Sequence, residues 1–172
     1  MKRLLLSLGL LAFAAQAKDM TGKFGVGGNS TLGGASGLNV MIGASKLLIL
    51  DVTAGMSFTA PAATGADNVT ALRGAVHGFL NLADYDNANL LVGLGVNVMT
   101  NSTLDNALGM AVDIPIRPVY FFSDHFSIMG EVGLTVDFMQ QGNDPPTGSF
   151  ESDLSIDLVT SLLGGFGFTY WF

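Results

Sequence analysis

Charged residues are sparse in this 172-residue chain, and two of them are spaced so that they can pair. Lysine, arginine, aspartate and glutamate make up only 12% of the sequence. Arg117 and Glu131 lie in two alternating apolar segments joined by a short connection at residues 123–125. If Phe122 and Phe126 flank that connection in register, an antiparallel hairpin sets Arg117 beside Glu131. Because an unpaired buried charge costs several kcal/mol, the two side chains are predicted to form an ion pair.

Three further ionisable residues fall on the polar faces of neighbouring segments and could extend this pair. The predicted network inside the protein therefore consists of Arg117, Glu131, Arg73, His77 and Asp51. A plug of satisfied polar side chains is the favoured interpretation, since buried polar groups are normally hydrogen-bonded. A functional gate built from the same residues is the alternative.

A second group of candidate residues is acidic. Asp113, Asp137 and Asp157 come from three successive segments and are predicted to point toward the outer half of the interior. In a conducting protein such carboxylates would favour cations, whereas the favoured interpretation is a set of acids wetted at an open mouth. None of the acidic residues is spaced as a recognisable metal loop, and no metal or other cofactor is predicted.

Motifs for catalysis are poor. The only histidines are His77 and His125, and neither has a serine and a carboxylate at a spacing that indicates an activated nucleophile. The glycine-rich run at residues 25–28 is not followed by the lysine of a phosphate-binding loop. Cysteine is absent, which removes thiolate chemistry and disulfide bonds. The chain is therefore predicted not to be an enzyme.

The elements that position these residues are indicated by alternation of apolar residues with small or polar ones, which is typical of β-strands. Eight strands are predicted, at residues 21–32, 36–44, 47–59, 69–82, about 90–98, 110–122, 126–138 and 154–172. In the first of them, Leu32 shares the outward apolar face with Phe24 and Val26. Beyond the N-terminal segment, no apolar run approaches the roughly 18–20 residues of a membrane helix. The prediction is an all-β fold, an eight-stranded antiparallel up-and-down transmembrane β-barrel. Pro115 and Pro118 each remove a ladder donor, so a β-bulge is expected in the sixth strand.

The N-terminal segment has the layout of a secretory signal peptide. Lys2 and Arg3 precede an apolar core, and Ala15-Gln16-Ala17 has the small residues of a cleavage site. Residues 1–17 are predicted to be removed, which leaves residues 18–172 as a single barrel domain. Without Lys2 and Arg3 the mature chain keeps 5 basic and 14 acidic residues, a net charge of −9. This acidic balance excludes a nucleic-acid footprint.

The end of the chain carries an alternating aromatic strand. Phe168, Tyr170 and Phe172 share one face, and a terminal Phe in this setting resembles the assembly signal of bacterial outer-membrane barrels. With the strand pattern and even strand count, the mature chain resembles the small bacterial outer-membrane β-barrel superfamily, typified by the eight-stranded OmpA barrel and OmpX. The resemblance implies a monomer in the outer membrane, in contact with its lipids and with both termini in the periplasm. It also implies assembly by the barrel assembly machinery with the help of periplasmic chaperones.

The predicted function is a non-enzymatic role in envelope structure or surface interaction, with a lumen largely filled by polar side chains. The alternative is a narrow cation-preferring pore or small-solute conduit. A lipid-modifying outer-membrane enzyme and a secreted lipocalin-like binder are less favoured, the latter because a solvated exterior carries more Lys and Glu. An apolar path for a hydrophobic ligand is suggested only by Met41, Leu47, Ile49, Phe79 and Leu91.

Overall fold

The computed structural model describes residues 19–59, 69–85, 87–101, 108–140, 152–157 and 164–172. The predicted signal peptide and most of the longer connections therefore lie outside the described residues. Within the described ranges every regular element is a β-strand. None of these ranges contains a helix long and apolar enough to cross a bilayer.

The strands form one closed antiparallel sheet. They are β1 (Phe24–Ser30), β2 (Ser36–Gly43), β3 (Leu48–Thr59), β4 (Val69–Tyr85), β5 (Ala88–Asn101), β6 (Leu108–Phe121), β7 (Phe126–Gln140), β8 (Ser152–Asp157) and β9 (Gly165–Trp171). Each strand from β1 to β7 pairs with its neighbours in sequence, β7 pairs with β9, and β9 returns to β1. Strands β8 and β9 follow each other along β7 and together make the eighth position. The fold is thus the predicted eight-stranded up-and-down β-barrel.

The eighth position departs from the single continuous strand predicted at residues 154–172. Glu131 of β7 lies opposite Gly165, and Thr135 lies opposite Asp157. Strand β7 therefore advances four residues while its partner advances eight. Alternation of residue type reveals which residues share a face but is blind to such a register shift, because a shift by an even number preserves the alternation.

The barrel has two ends that differ in their connections. We call the end with Asp19, Phe172, Asn87 and the turns at residues 44–47 and 122–125 the terminal end, and the opposite end the loop end. At the terminal end, aromatic side chains face outward and pack on one another, with ring centres 5.0 Å apart in the pairs Tyr120–Phe122 and Tyr170–Phe172. Clustered outward rings of this kind are typical of interfacial girdles. On the loop side Phe58 also faces outward, whereas the side chain of Phe138 lies outside what the structure describes.

The outside of the barrel is an apolar belt. Along β9 the buried and exposed residues alternate strictly, with Phe166, Phe168 and Tyr170 outward. Large apolar side chains face outward from the other strands too, among them Leu38, Val52, Met56, Leu72, Val76, Leu80, Leu94, Ile114 and Leu134. Soluble monomers rarely expose contiguous apolar patches larger than about a few hundred Å². Among the described residues, nothing covers this belt.

The β-bulge predicted in the sixth strand is wrong. Strand β6 keeps one register against both neighbours, and ladder pairs are missing only beside Pro115 toward β5 and beside Pro118 toward β7. Each proline removes one donor, but its fixed φ remains compatible with an extended strand, so the neighbouring strands stay in step. A bulge occurs instead in β4, between Asn81 and Ala83. This strand also runs to Tyr85, three residues past its predicted end.

The interior is divided into two layers. Next to the terminal end lies the apolar layer, formed by Met20, Met41, Ile49, Phe79, Leu91, Val119, Phe121, Met129 and Trp171. Toward the loop end lies the ionic layer, which contains Asp51, His77, Asp113, Arg117 and Glu131, all at most 1% exposed. Polar and charged side chains are the majority of the buried residues described, as the sequence predicted, but the terminal half also holds this apolar layer beside buried Asn81, Ser127 and Thr169. Leu47, which was also assigned inward, is 41% exposed.

Residues 19–22, which precede β1, contribute to the closure of the terminal end. Met20 is fully buried in the apolar layer, and Gly22 N–H donates to the Gly43 carbonyl at 2.8 Å. Asp19 is exposed, and the Thr21 hydroxyl and backbone N–H donate to its carboxylate and lower its pKa. These hydrogen bonds hold residues 19–22 in place, so that the Met20 side chain fills the interior at the terminal end.

Candidate functional site

Arg117 lies at the centre of the ionic layer, between two carboxylates. Its Nε donates to Glu131 Oε2 at 2.7 Å, and Nη2 lies 2.5 Å from the same oxygen. Its Nη1 donates to Asp51 Oδ2. The guanidinium carbon lies 4.1 Å from the centre of the Phe79 ring, so the cation rests on the apolar layer. The predicted Arg117–Glu131 pair is therefore present, and Asp51 belongs to the same network.

Asp51 is held in place from the other side by polar residues of β2 and β3. Asn39 Nδ2 donates to Asp51 Oδ1 and lies 3.3 Å from Thr53 Oγ1. All three side chains are at most 1% exposed. The carboxylate thus accepts hydrogen bonds from both the amide and the guanidinium, which compensates part of its desolvation.

His77 and Asp113 form the second half of the ionic layer. His77 Nε2 lies 3.1 Å from Asp113 Oδ2, and Asn97 Nδ2 donates to the same oxygen at 2.9 Å. The imidazole also stacks on Phe79, with ring centres 5.6 Å apart. His77 therefore lies inside the barrel as predicted, but its ionic partner is Asp113 of the predicted acidic group.

The connection between β1 and β2 folds into the barrel, and we call residues 31–35 the inward turn. Leu32 N–H donates to Glu131 Oε1 at 2.8 Å, and Gly33 N–H donates to Asp113 Oδ2 at 3.3 Å. Thr31 Oγ1 donates to Asn97 Oδ1 at 2.7 Å. Gly34 has a φ of +84°, a conformation that favours glycine and lets the chain reverse within this turn. The inward turn therefore contacts both carboxylates on the loop side of the ionic layer.

The inward turn was missed by sequence reasoning. Leu32 was predicted to face outward at the end of the first strand, but β1 ends at Ser30 and the Leu32 side chain is only partly exposed, packed against Gly133 and Gly164. The available signal was the run Leu32-Gly33-Gly34-Ala35. This run is much shorter than the other connections predicted at this end, and three of its four residues have small side chains or none.

Arg73 does not belong to the buried network to which it was assigned. It is half-buried, and its Nη1 donates to the Gly34 carbonyl at 3.0 Å. The guanidinium thus holds the inward turn from the loop end and has no described bond to a carboxylate of the ionic layer. Its position in β4 is four residues from His77, which explains the difference in depth.

The three acidic residues predicted as an outer cluster do not share one environment that can be described. Asp113 is fully buried and hydrogen-bonded, so the expectation of an acid wetted at an open mouth is wrong for this residue. Asp137 pairs through its backbone with Ala111, and Asp157 with Thr135. The side chains of Asp137 and Asp157 lie outside what the structure describes.

The remaining predicted residues lie at the terminal end. Phe168, Tyr170 and Phe172 face outward, and Phe172 N–H donates to the Phe24 carbonyl at 2.8 Å, which fixes the last residue to β1. His125 Nδ1 lies 2.9 Å from the Trp171 carbonyl, and its ring stacks on Tyr170. These contacts tie the C-terminal strand into the closed barrel.

Among the described residues one set has the geometry of a possible metal site. Ligand atoms of His77, Asp113 and Glu131 all lie within 4.8 Å of one another, and all three side chains are buried. The sequence predicted no metal because these residues are far apart along the chain and match no spacing motif. Only the barrel register brings β4, β6 and β7 together in this way.

Comparison of the chain with protein-family models, with curated proteins and with solved structures gave no match. The features of this chain that bear on its function are therefore the belt, the two layers and the inward turn.

Proposed function

We propose that this chain is an integral outer-membrane β-barrel protein with a structural or surface-interaction role in the envelope and no enzymatic activity. The observation that carries the proposal is the apolar belt, from which residues such as Leu38 and Met56 are more than 70% exposed. A lipid bilayer covers such a belt on all sides at once. A closed barrel is also one of the few folds in which every backbone N–H and C=O group can be hydrogen-bonded within the protein while it is surrounded by lipid.

The filled interior favours a structural role over the alternative of a narrow cation-preferring pore. Trp171, Phe79 and Phe121 occupy the apolar layer with neighbouring methionines. Arg117 and its two carboxylates lie directly above them, and the inward turn covers Glu131 and Asp113 from the loop end. A hydrated cation would have to displace both layers in order to pass.

The orientation and partners that we propose follow from the sequence together with the closed barrel. Residues 1–17 direct export, and Phe172 serves with Phe168 and Tyr170 as the signal for the assembly machinery. Both termini lie in the periplasm, and the aromatic residues at the terminal end sit at the inner interface of the bilayer. The mature chain is a monomer that contacts outer-membrane lipids.

The absence of catalysis is supported by the bonds that the two histidines make. His77 Nε2 is directed at Asp113, and His125 Nδ1 at a backbone carbonyl. Neither of these bonds joins the imidazole to a hydroxyl, whereas a base that activates a serine must lie within hydrogen-bond reach of it.

The first experiment is planar-bilayer conductance of refolded residues 18–172, with heat-modifiable gel migration to show that the barrel has folded. We expect no discrete current steps from the folded protein. Discrete, cation-selective steps would overturn the closed-lumen role and establish the pore. Cell fractionation of the full-length chain provides the second measurement, with a variant lacking residues 2–17 as the control. If urea extracts the full-length chain from outer membranes, the membrane assignment is overturned.

A further inference from the structure

The ionic layer carries more negative charge than its permanent cation balances. Asp51, Asp113 and Glu131 contribute three carboxylates, and Arg117 contributes one guanidinium. His77 balances a second carboxylate only when it is protonated. Because uncompensated charge in a poorly solvated interior is costly, this layer is a place where an additional cation would be stabilised.

Two atoms of the layer converge on one space. Asp113 Oδ1 is buried and has no hydrogen-bond partner among the residues that the structure describes. A Cβ atom placed on Gly95 would lie 2.2 Å from this oxygen and 2.4 Å from His77 Nε2. Asp113 Oδ1 and His77 Nε2 therefore lie close together beside Gly95. They occupy the space that the side chain of any other residue at this position would need.

The third ligand comes from Glu131. Its Oε2 is held by Arg117, whereas its Oε1 accepts a single hydrogen bond, from Leu32 N–H. A carboxylate oxygen has two lone pairs, so Oε1 can accept that bond and also bind an ion. Ligand atoms of all three residues lie within 4.8 Å of one another. Tetrahedral coordination at about 2.1 Å places ligand atoms roughly 3.4 Å apart, so these atoms would move closer by up to about 1.4 Å on binding an ion.

We propose that His77, Asp113 and Glu131 form a binding site for a divalent transition-metal ion inside the barrel. One imidazole and two carboxylates suit Zn²⁺, Co²⁺ or Fe²⁺, whereas Mg²⁺ and Ca²⁺ prefer oxygen ligands alone. A small pocket that is open to the outside is lined in part by Gly33, Asn97 and Ala111. Of these residues, Gly33 and Asn97 both donate hydrogen bonds to Asp113.

The test is titration of the refolded, untagged, chelator-treated barrel with Co²⁺ and Zn²⁺. We expect one Co²⁺ per chain with visible d–d absorption, and its displacement by Zn²⁺. The chain offers a matched control because it has only two histidines. His77→Gln should abolish the signal, whereas His125→Gln should retain it, with heat-modifiable migration confirming that each variant has folded.

A second measurement does not depend on a variant that folds. In the wild-type barrel, Co²⁺ should broaden the backbone amide resonances of Gly33 and Gly95 at one equivalent, before those of the turn at residues 122–125. The proposal is overturned if the folded wild-type barrel binds neither ion. It is also overturned if binding is lost in His125→Gln and kept in His77→Gln, because the ion would then lie at the terminal end.

Discussion

Replacement of Arg117 by alanine tests whether the ionic layer holds the barrel together. The guanidinium is fully buried and makes three close contacts with oxygens of Asp51 and Glu131. Removing it leaves two carboxylates in the interior without their cation. The contact with the Phe79 ring is lost at the same time. The Arg117→Ala variant therefore lacks the cation that pairs with Asp51 and Glu131. It also lacks the contact that joins the ionic layer to the apolar layer.

The expected magnitude follows from this burial. Removing one partner of a buried ion pair costs about 3–5 kcal/mol, because the remaining charge stays desolvated. Asp51 keeps its bond from Asn39, and Glu131 keeps its bond from Leu32 N–H, so partial compensation remains. We therefore expect the lower half of that range, about 3–4 kcal/mol in the free energy of unfolding.

The assay is equilibrium unfolding in urea of the barrel refolded into lipid vesicles, followed by fluorescence. The chain has one tryptophan, Trp171, and it is buried in the apolar layer, so its emission reports on the fold directly. Arg73→Ala is the matched control, because this half-buried arginine donates to the Gly34 carbonyl at the loop end; its loss should cost about 1 kcal/mol or less. A loss below about 1 kcal/mol in Arg117→Ala, or equal losses in the two variants, would refute the structural role of the network.

Three further perturbations address other parts of the interior. Trp171→Ala should lower the free energy of unfolding by about 3–5 kcal/mol, measured by the urea midpoint of the gel-migration shift, since the ring is 1% exposed; a loss under about 1 kcal/mol would contradict the packed apolar layer. Glu131→Gln should speed hydrogen exchange at the Leu32 amide severalfold in NMR spectra, and unchanged exchange would mean that the inward turn is held by other contacts. Gly95→Ala should destabilise the barrel by about 1–3 kcal/mol, whereas Gly78→Ala, where the added Cβ meets nothing within 4 Å, should be near neutral in the same urea assay.

Alternation of residue types predicted the barrel wall because each strand has one face in a different environment from the other. The register of β6 and β7 followed from the flanking aromatic residues of one short turn, and it set Arg117 beside Glu131. This pair could be predicted from the sequence since a two-strand register needs only one fixed point. The strand faces and the pair are therefore local consequences of the sequence.

The layered interior could not be predicted in the same way. Apolar side chains suit both an apolar lumen and apolar surroundings outside the barrel. Residue type alone therefore does not show whether an apolar side chain faces inward or outward. Leu32 was assigned outward on this basis but packs inside the wall, and Met20 lies before the first strand yet fills the terminal end. The partner of His77 also required the full barrel, because β4 and β6 are not adjacent strands.

The inward turn gives a physical reason for a closed lumen. Leu32 and Gly33 direct their amides at Glu131 and Asp113, the two carboxylates on the loop side of the layer. If the turn swung outward, both acids would lose a donor in a layer that already has excess negative charge. A cation bound by His77, Asp113 and Glu131 would offset that loss. The position of the turn and occupancy of the proposed metal site are therefore expected to be coupled, with the turn held most tightly when no ion is bound there.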